Sequence, residues 1–230
     1  MNLHGKMKGI TFSYDDGVTQ DRRLISLLNR YGMKATFNLN SELFSKQGSL
    51  PVRGETVDHS CVSADEVCAL YRGHEIAVHT LTHPNLTQLG EDEIVRQIEE
   101  DRKNLSRLAG YPVVGMAYPC GGINNDDRVA GILQSRTRIL YSRTITSTNR
   151  FDPQENLLRF NPTIHHLSEN RFELAEQFLS MNAESPQLFY IWGHSYELDA
   201  HDGWGEFERL LKMLAFRDEI IYDTNRALLL

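Results

Sequence analysis

The chain has 230 residues and a formal net charge of -7, from 24 Lys and Arg against 31 Asp and Glu. This acidic balance, without any basic block, argues against nucleic acid as a partner. No stretch reaches the roughly 18 apolar residues that span a bilayer, and the amino terminus lacks a secretory pattern, so we predict a cytoplasmic protein without membrane contact. The apolar content of 40% is ordinary, and residues 1–230 are expected to form one domain.

Strand and helix patterns alternate along the chain. Apolar and β-branched runs predict strands at 8–13, 34–40, 74–79, 112–118, 138–142, 187–194 and 219–224, with a further candidate at 156–160. Periodic spacing with start and stop signals predicts helices at 19–31, 63–73, 91–109, 126–135, 169–181 and 205–216. Ser63 and Glu66 form a capping box for the second helix, and Ser168 is the expected N-cap of the fifth. Alternation over the whole length predicts a barrel-like α/β domain with parallel strands.

In a parallel α/β barrel, reactive groups lie where the strands end and the loops begin. Four of the predicted strands end on titratable or glycine-rich segments. These segments are Asp15 and Asp16 in TFSYDDGV, His79 and His83 in HTLTHP, Ala117 to Gly122 in AYPCGG, and His194 in IWGH. Because parallel strands present the same end to one edge of the sheet, we expect the four segments to converge on one site.

The two histidines of HTLTHP suit a metal site only if the chain bends. A helix is disfavoured by the two threonines between them and by Pro84 directly after them, whereas an extended chain would separate His79 from His83 by about 13 Å. The chain must therefore curl after His79. Two imidazoles and one carboxylate suit a divalent metal that holds a water. One of Asp15 and Asp16 would ligate the metal, which offsets their mutual repulsion, while the other takes a proton.

Together these motifs resemble those of the NodB-type polysaccharide deacetylases, carbohydrate esterase family 4. The resemblance runs from about Lys8 to Thr224. It implies a distorted (β/α) barrel of about seven parallel strands and metal-dependent removal of N- or O-acetyl groups from sugars. By position, the resemblance implies that Asp15 is the general base and that Asp16, His79 and His83 are metal ligands. It also implies that the backbone N–H of Cys120, which follows Pro119, is the oxyanion donor, and that His194 is the general acid.

One position departs from the family pattern. The third motif usually begins with an arginine that orients the base, and the chain has Ala117 there. We hypothesise that Arg143, at the end of the next predicted strand, replaces it; a solvent-exposed surface arginine is the competing interpretation. Trp192, beside His194, is expected either to pack in the core or to form an apolar wall of the site.

The cofactor predicted is one divalent ion. Zinc suits the ligands, and cobalt, nickel or manganese would also fit. The expected partner is a small acylated saccharide or oligosaccharide, since no secretory signal points to cell-wall polymer. Two alternatives stay open, namely hydrolysis of a cyclic or linear non-peptide amide in the manner of allantoinase, and a non-catalytic sugar-binding relic. His165 and His166 are expected to lie exposed in a loop.

Overall fold

The computed structural model describes residues 1–230 and contains ten strands, which alternate with helices over most of the chain. The strands are β1 (Lys8–Asp15), β2 (Ala35–Leu39), β3 (Ser49–Val52), β4 (Glu55–Asp58), β5 (Glu75–Val78), β6 (Gly115–Ala117), β7 (Tyr141–Arg143), β8 (Ile164–His165), β9 (Gln187–Gly193) and β10 (Ile220–Tyr222). Eight of the strands form the main sheet and are parallel. The other two, β3 and β4, form a separate antiparallel hairpin.

Six helices lie between strands, and a seventh follows the last strand. They are α1 (Asp21–Arg30), α2 (Ala64–Leu70), α3 (Glu91–Ala109), α4 (Asp127–Arg136), α5 (Arg171–Ser180), α6 (Gly203–Leu214) and α7 (Asn225–Leu229). The capping box of Ser63 and Glu66 opens α2 as predicted, and Gly110 ends α3 in a left-handed conformation with φ of 78°. None of the helices is both long enough and apolar enough to cross a lipid bilayer.

The main sheet has the strand order β7-β6-β5-β2-β1-β9-β8, and β10 pairs with the first residues of β1. Strands β7 and β8 lie at the two ends of this order, so the sheet curves into an open, distorted barrel. Strand β1 is central, and all eight of its residues are buried. The prediction of a distorted (β/α) barrel of about seven parallel strands is confirmed.

The core lies between the curved sheet and the surrounding helices. Helix α3 turns Ile94, Ile98 and Leu105 inward, all with no exposed surface, and Phe12 and Phe37 are equally buried on the sheet. Burying one apolar side chain of this size contributes about 1.5–3 kcal/mol to the free energy of folding. The helical spacing that predicted α3 thus corresponds to its buried face.

Two local predictions were wrong, and one hairpin was not predicted. The candidate strand at 156–160 is a short 3₁₀ turn at Leu157–Arg159, although Phe160 does bridge to β7. Helix α5 has Asn170 as its N-cap rather than Ser168. The polar stretch after β2 contains the β3–β4 hairpin, whose residues are mostly exposed and therefore show no clear alternating pattern. That the chain is one domain, residues 1–230, stays a prediction.

Candidate metal-dependent active site

A cleft of about 530 Å³ opens at the carboxyl ends of the central strands. Its lining includes Asp15 and Asp16 after β1, His79 after β5, Cys120 after β6 and His194 after β9. The convergence expected from strand polarity is therefore present. Segments more than 170 residues apart along the chain meet in one cleft because β1 pairs directly with β9.

Asp16, His79 and His83 offer three ligand atoms to one point. Oδ1 of Asp16 lies 3.6 Å from Nε2 of His79 and 3.5 Å from Nε2 of His83. Two ligands bound tetrahedrally at 2.0–2.1 Å from a zinc ion are separated by about 3.4 Å. The spacing and the chemistry of these donors, two imidazoles and a carboxylate, therefore fit a divalent cation.

The curl that brings His83 back to His79 has a visible cause. Strand β5 ends at Val78, and both Thr80 and His83 adopt left-handed backbone conformations, with φ of 69° and 61°. The side-chain amide of Asn40, at the end of β2, donates to the carbonyl oxygen of Thr80 at 2.7 Å. The two imidazole centroids lie 4.9 Å apart, as the bend predicted from the sequence requires.

His79 is held in its neutral form. Its Nδ1 lies 2.9 Å from the carbonyl oxygen of Ala117 and donates to it, which leaves the lone pair of Nε2 directed at Asp16. Burial lowers the pKa of His79 to about 4. The backbone of Ala117 thus contributes to the site although its side chain lacks the arginine of the family pattern.

Asp15 is almost fully buried beside the same cleft. Its Oδ1 accepts a hydrogen bond from Asn38 at 2.8 Å, and its Oδ2 pairs with the guanidinium of Arg143. Burial raises the pKa of Asp15, but Arg143 together with His79 and His194 outweighs this effect and holds the pKa below its usual value. Asp15 is therefore an ionised carboxylate that lies next to the three candidate metal ligands without being one of them.

The structure places Arg143 where the sequence hypothesis needs it. Ala117 and Arg143 are paired in register on β6 and β7, and side chains paired in this way leave the sheet on the same face. Arg143 is completely buried, its guanidinium carbon lies 4.4 Å from the ring centroid of Trp192, and Nη1 donates to the carbonyl oxygen of Thr144. The surface interpretation of Arg143 was wrong. Trp192 both packs in the interior and lines the cleft.

His194 lies on the other side of Asp15. Its Nε2 is 3.9 Å from Oδ2 of Asp15, and its Nδ1 is 3.3 Å from Oε2 of Glu197. Burial lowers the pKa of His194, but the carboxylate of Glu197 outweighs this effect and raises the pKa to about 9. His194 is therefore protonated at neutral pH, as a proton donor must be.

Glu197 gathers three imidazoles around one oxygen. Besides His194, Nε2 of His165 lies 3.1 Å and Nε2 of His166 lies 2.9 Å from its Oε2. The prediction that His165 and His166 are exposed was wrong. His165 ends β8, which pairs with β9, and His166 directly follows it. His166 is buried, and its Nδ1 lies 3.2 Å from the hydroxyl oxygen of Tyr14. This second cluster holds Glu197 rigidly ionised behind His194.

The loop after β6 lines the cleft and contains a backbone N–H without a partner in the chain. Cys120 follows Pro119 in a left-handed conformation with φ of 69°, and its N–H donates to no group of the chain. The amide of Asn124 donates to the carbonyl oxygens of Tyr118, Pro119 and Cys120 at 3.3, 3.1 and 2.8 Å and so holds the loop in shape. This geometry leaves the N–H of Cys120 available to a developing oxyanion.

Sequence reasoning missed two residues of the cleft region. His59 lies after the β3–β4 hairpin with Nε2 at 3.1 Å from Oδ2 of Asp16, and nothing in its sequence context signals this contact. Glu197 had a signal, since it follows His194 by three residues, the spacing at which a carboxylate can cap the first turn of a helix. Its carboxylate indeed accepts from the backbone N–H of His194 at 3.0 Å.

Comparison with known proteins places the chain in a family. The sequence model described as "Polysaccharide deacetylase" matches residues 3–134, more than half of the chain. The chain belongs to the polysaccharide deacetylase family. A peptidoglycan-N-acetylglucosamine deacetylase of Bacillus cereus is 32% identical over 116 residues, which are 50% of the chain and 37% of that relative. The peptidoglycan-N-acetylmuramic acid deacetylase PdaC of Bacillus subtilis is 28% identical over 123 residues, 53% of the chain and 23% of that protein.

Solved structures of the family share the fold. A Xyl-CE4 domain of a multidomain xylanase from the hindgut metagenome of Trinervitermes trinervoides superposes with a TM-score of 0.59 and 16% identity, over 96% of the chain and 89% of the domain. A family 4 acetyl xylan esterase from Clostridium thermocellum, in complex with a cobalt ion, superposes with a TM-score of 0.59 and 15% identity. The superposition covers 96% of the chain and 90% of the esterase. The chain thus spans less than half of the curated relatives above but nearly the whole of these solved domains. These proteins are named for deacetylation or ester hydrolysis, and the cyclic-amide alternative gains no support.

Proposed function

We propose that this protein is a metal-dependent hydrolase that removes acetyl groups, N- or O-linked, from a sugar or saccharide. The observation that carries the proposal is the convergence of Asp16, His79 and His83 at mutual distances that fit one divalent cation, directly beside the ionised Asp15. A non-catalytic relic would be expected to lose members of such a ligand set, and here all three are present and close together.

Asp16, His79 and His83 are the residues proposed to hold the metal. Zinc suits two imidazoles and one carboxylate, and cobalt, nickel or manganese accept the same donors. The Clostridium thermocellum esterase, whose structure contains cobalt, shares the fold. When bound, such an ion lowers the pKa of water and polarises the acyl carbonyl group.

The residues of the chain have separate tasks in the proposed reaction. Asp15 takes the proton of the attacking water, and Arg143 and Asn38 keep its carboxylate ionised and oriented. The N–H of Cys120 stabilises the oxyanion, a contribution of about 3–4 kcal/mol for one such donor. His194 then protonates the leaving nitrogen or oxygen of the sugar.

Replacing Glu197 by Gln should change the pH dependence of this last step. With Glu197 present, the pKa of His194 is about 9, so activity should fall as the pH rises through that value. Without the carboxylate of Glu197, burial still lowers the pKa of His194, and only Asp15 and Asp16 still raise it. The alkaline limb of kcat/KM should therefore move down by about 1–3 pH units. Glu55→Gln, which removes a carboxylate from the exposed His201, is the control and should leave the profile unchanged. An unchanged alkaline limb in Glu197→Gln would contradict the assignment of His194.

The proposed substrate is a small acylated saccharide or oligosaccharide. The cleft has a volume of about 530 Å³, and Tyr118, Trp192 and Tyr196 give it aromatic walls. Aromatic side chains offer an apolar face for packing together with a polar group for hydrogen bonding. A cytoplasmic location and zinc as the metal stay predictions.

Acetate release tests the proposal directly. The purified protein is assayed for metal content and for acetate released from a panel of N- and O-acetylated sugars and oligosaccharides, before and after a chelator. We expect hydrolysis to disappear with the metal and to return when zinc or cobalt is restored. Hydrolysis that survives complete removal of the metal would overturn the proposed chemistry.

A further inference from the structure

The β3–β4 hairpin is anchored beside the proposed metal site. The hydroxyl of Thr19 donates to Oδ2 of Asp58 at 3.1 Å, and the amide of Gln20 donates to the carbonyl oxygen of Asp58 at 2.8 Å. Val18 and Cys61 form an antiparallel bridge on the other side of this segment. The end of the hairpin is thus attached to the loop that directly follows Asp16, and His59 lies between these attachment points.

The two oxygens of Asp16 face different histidines. Oδ1 is the oxygen near His79 and His83, whereas Oδ2 lies 3.1 Å from Nε2 of His59. The ring of His59 packs edge-on against Tyr196, with 4.8 Å between the centroids. The imidazole is therefore held in place by an aromatic neighbour while it contacts the oxygen that points away from the two ligand histidines.

We propose that His59 is a positioning residue that donates a hydrogen bond to Oδ2 of Asp16 and thereby presents Oδ1 to the metal. This inference rests on the proposed function. A carboxylate ligand can rotate about its Cβ–Cγ bond, and a hydrogen bond to its outer oxygen removes that freedom before the metal arrives. Asp16 has no other side-chain hydrogen bond in the protein, so His59 alone provides this restraint.

The geometry distinguishes positioning from ligation. The ligand atoms of Asp16, His79 and His83 all lie within 4.8 Å of one another, and Nε2 of His59 does not belong to that group. A fourth ligand would have to approach His79 and His83 as closely as Asp16 does. His59 instead contacts the site only through the carboxylate, as the partners that orient metal ligands do.

The affinity for Co²⁺ tests this role without reference to turnover. His59→Ala should weaken Co²⁺ binding by about 10–100-fold, measured by competition with a chromophoric chelator. His59→Gln, whose amide can donate to Oδ2, should recover part of the loss. His201→Ala is the matched control, because His201 also contacts a carboxylate, Glu55 at 2.9 Å, but is more than half exposed and lies outside the cleft. It should bind Co²⁺ like the wild-type protein.

The outcomes separate this inference from the proposed function. Wild-type affinity in both His59→Ala and His59→Gln would overturn the positioning role while leaving the metal-dependent hydrolase intact. A changed Co²⁺ absorption spectrum in His59→Ala, with no recovery in His59→Gln, would show that His59 is a metal ligand. That result would also overturn the positioning role. Failure of the wild-type protein to bind Co²⁺, zinc, nickel or manganese would overturn the proposed function itself.

Discussion

Asp15→Asn is expected to bind a divalent cation as tightly as the wild-type protein but to lose about 10²–10⁴-fold of its acyl hydrolysis rate. Asp15 lies beside the metal-binding group without joining it, and its ionised carboxylate is the base in the proposed reaction. An amide of the same shape fills the same space, and its one oxygen can still accept from either Asn38 or Arg143, but it cannot accept the proton. Metal content, chelator competition and kcat with an acetylated sugar are measured on the same preparation.

Asp16→Asn is the matched comparison, one residue along the chain. Here the substitution removes the charge from the oxygen that lies 3.6 Å and 3.5 Å from the two histidines, so metal affinity itself should fall. Excess metal should restore part of the activity of Asp16→Asn and none of that of Asp15→Asn. If both variants lost metal equally, the division of labour between the two aspartates would be wrong. Circular dichroism on each variant verifies folding first.

Much of the fold could be predicted because its signals are local. The alternation of apolar runs with helical spacing predicted parallel strands, and the end of each strand predicted where the polar groups meet. The bend after β5 was also predictable, since Thr80, Thr82 and Pro84 disfavour a helix, and a strand continuing to His83 would hold the two histidines about 13 Å apart. The structure shows this bend as two left-handed residues, Thr80 and His83.

The rest of the site depends on pairings across the sheet, which no local pattern encodes. Arg143 reaches Asp15 because β6 and β7 place it in register with Ala117, and that register follows from the folded sheet. His166 directly follows β8 and is buried because β8 pairs with β9. A strand of two residues is too short to show a periodicity in the sequence. The hairpin that carries His59 to Asp16 is exposed and polar, so it resembles an ordinary loop in sequence.

Arg143→Met should destabilise the protein by about 3–5 kcal/mol, because it leaves the carboxylate of Asp15 buried without its cation. Arg143 has no exposed surface and Asp15 only 2%, so water cannot replace the missing charge. Equilibrium unfolding in urea, monitored by circular dichroism, measures the loss. Arg171→Met, which removes an arginine from the partly exposed ion pair with Glu206, is the control and should cost about 1 kcal/mol or less.

The double variant Asp15→Asn with Arg143→Met decides whether the ion pair itself is responsible. Each single variant leaves one buried charge unpaired, whereas the double variant leaves none, so its loss of stability should be smaller than the sum of the two single losses by about 2–3 kcal/mol. Additive losses would mean that Arg143 stabilises the protein through its packing against Trp192 instead. The double variant should not regain hydrolysis, because removing both charges restores stability but leaves no base. A stability loss in the double variant that is smaller than the sum of the single losses, without recovery of hydrolysis, would therefore identify Arg143 as the ionic partner of Asp15. Arg143 would then take the role of the family arginine that Ala117 replaces.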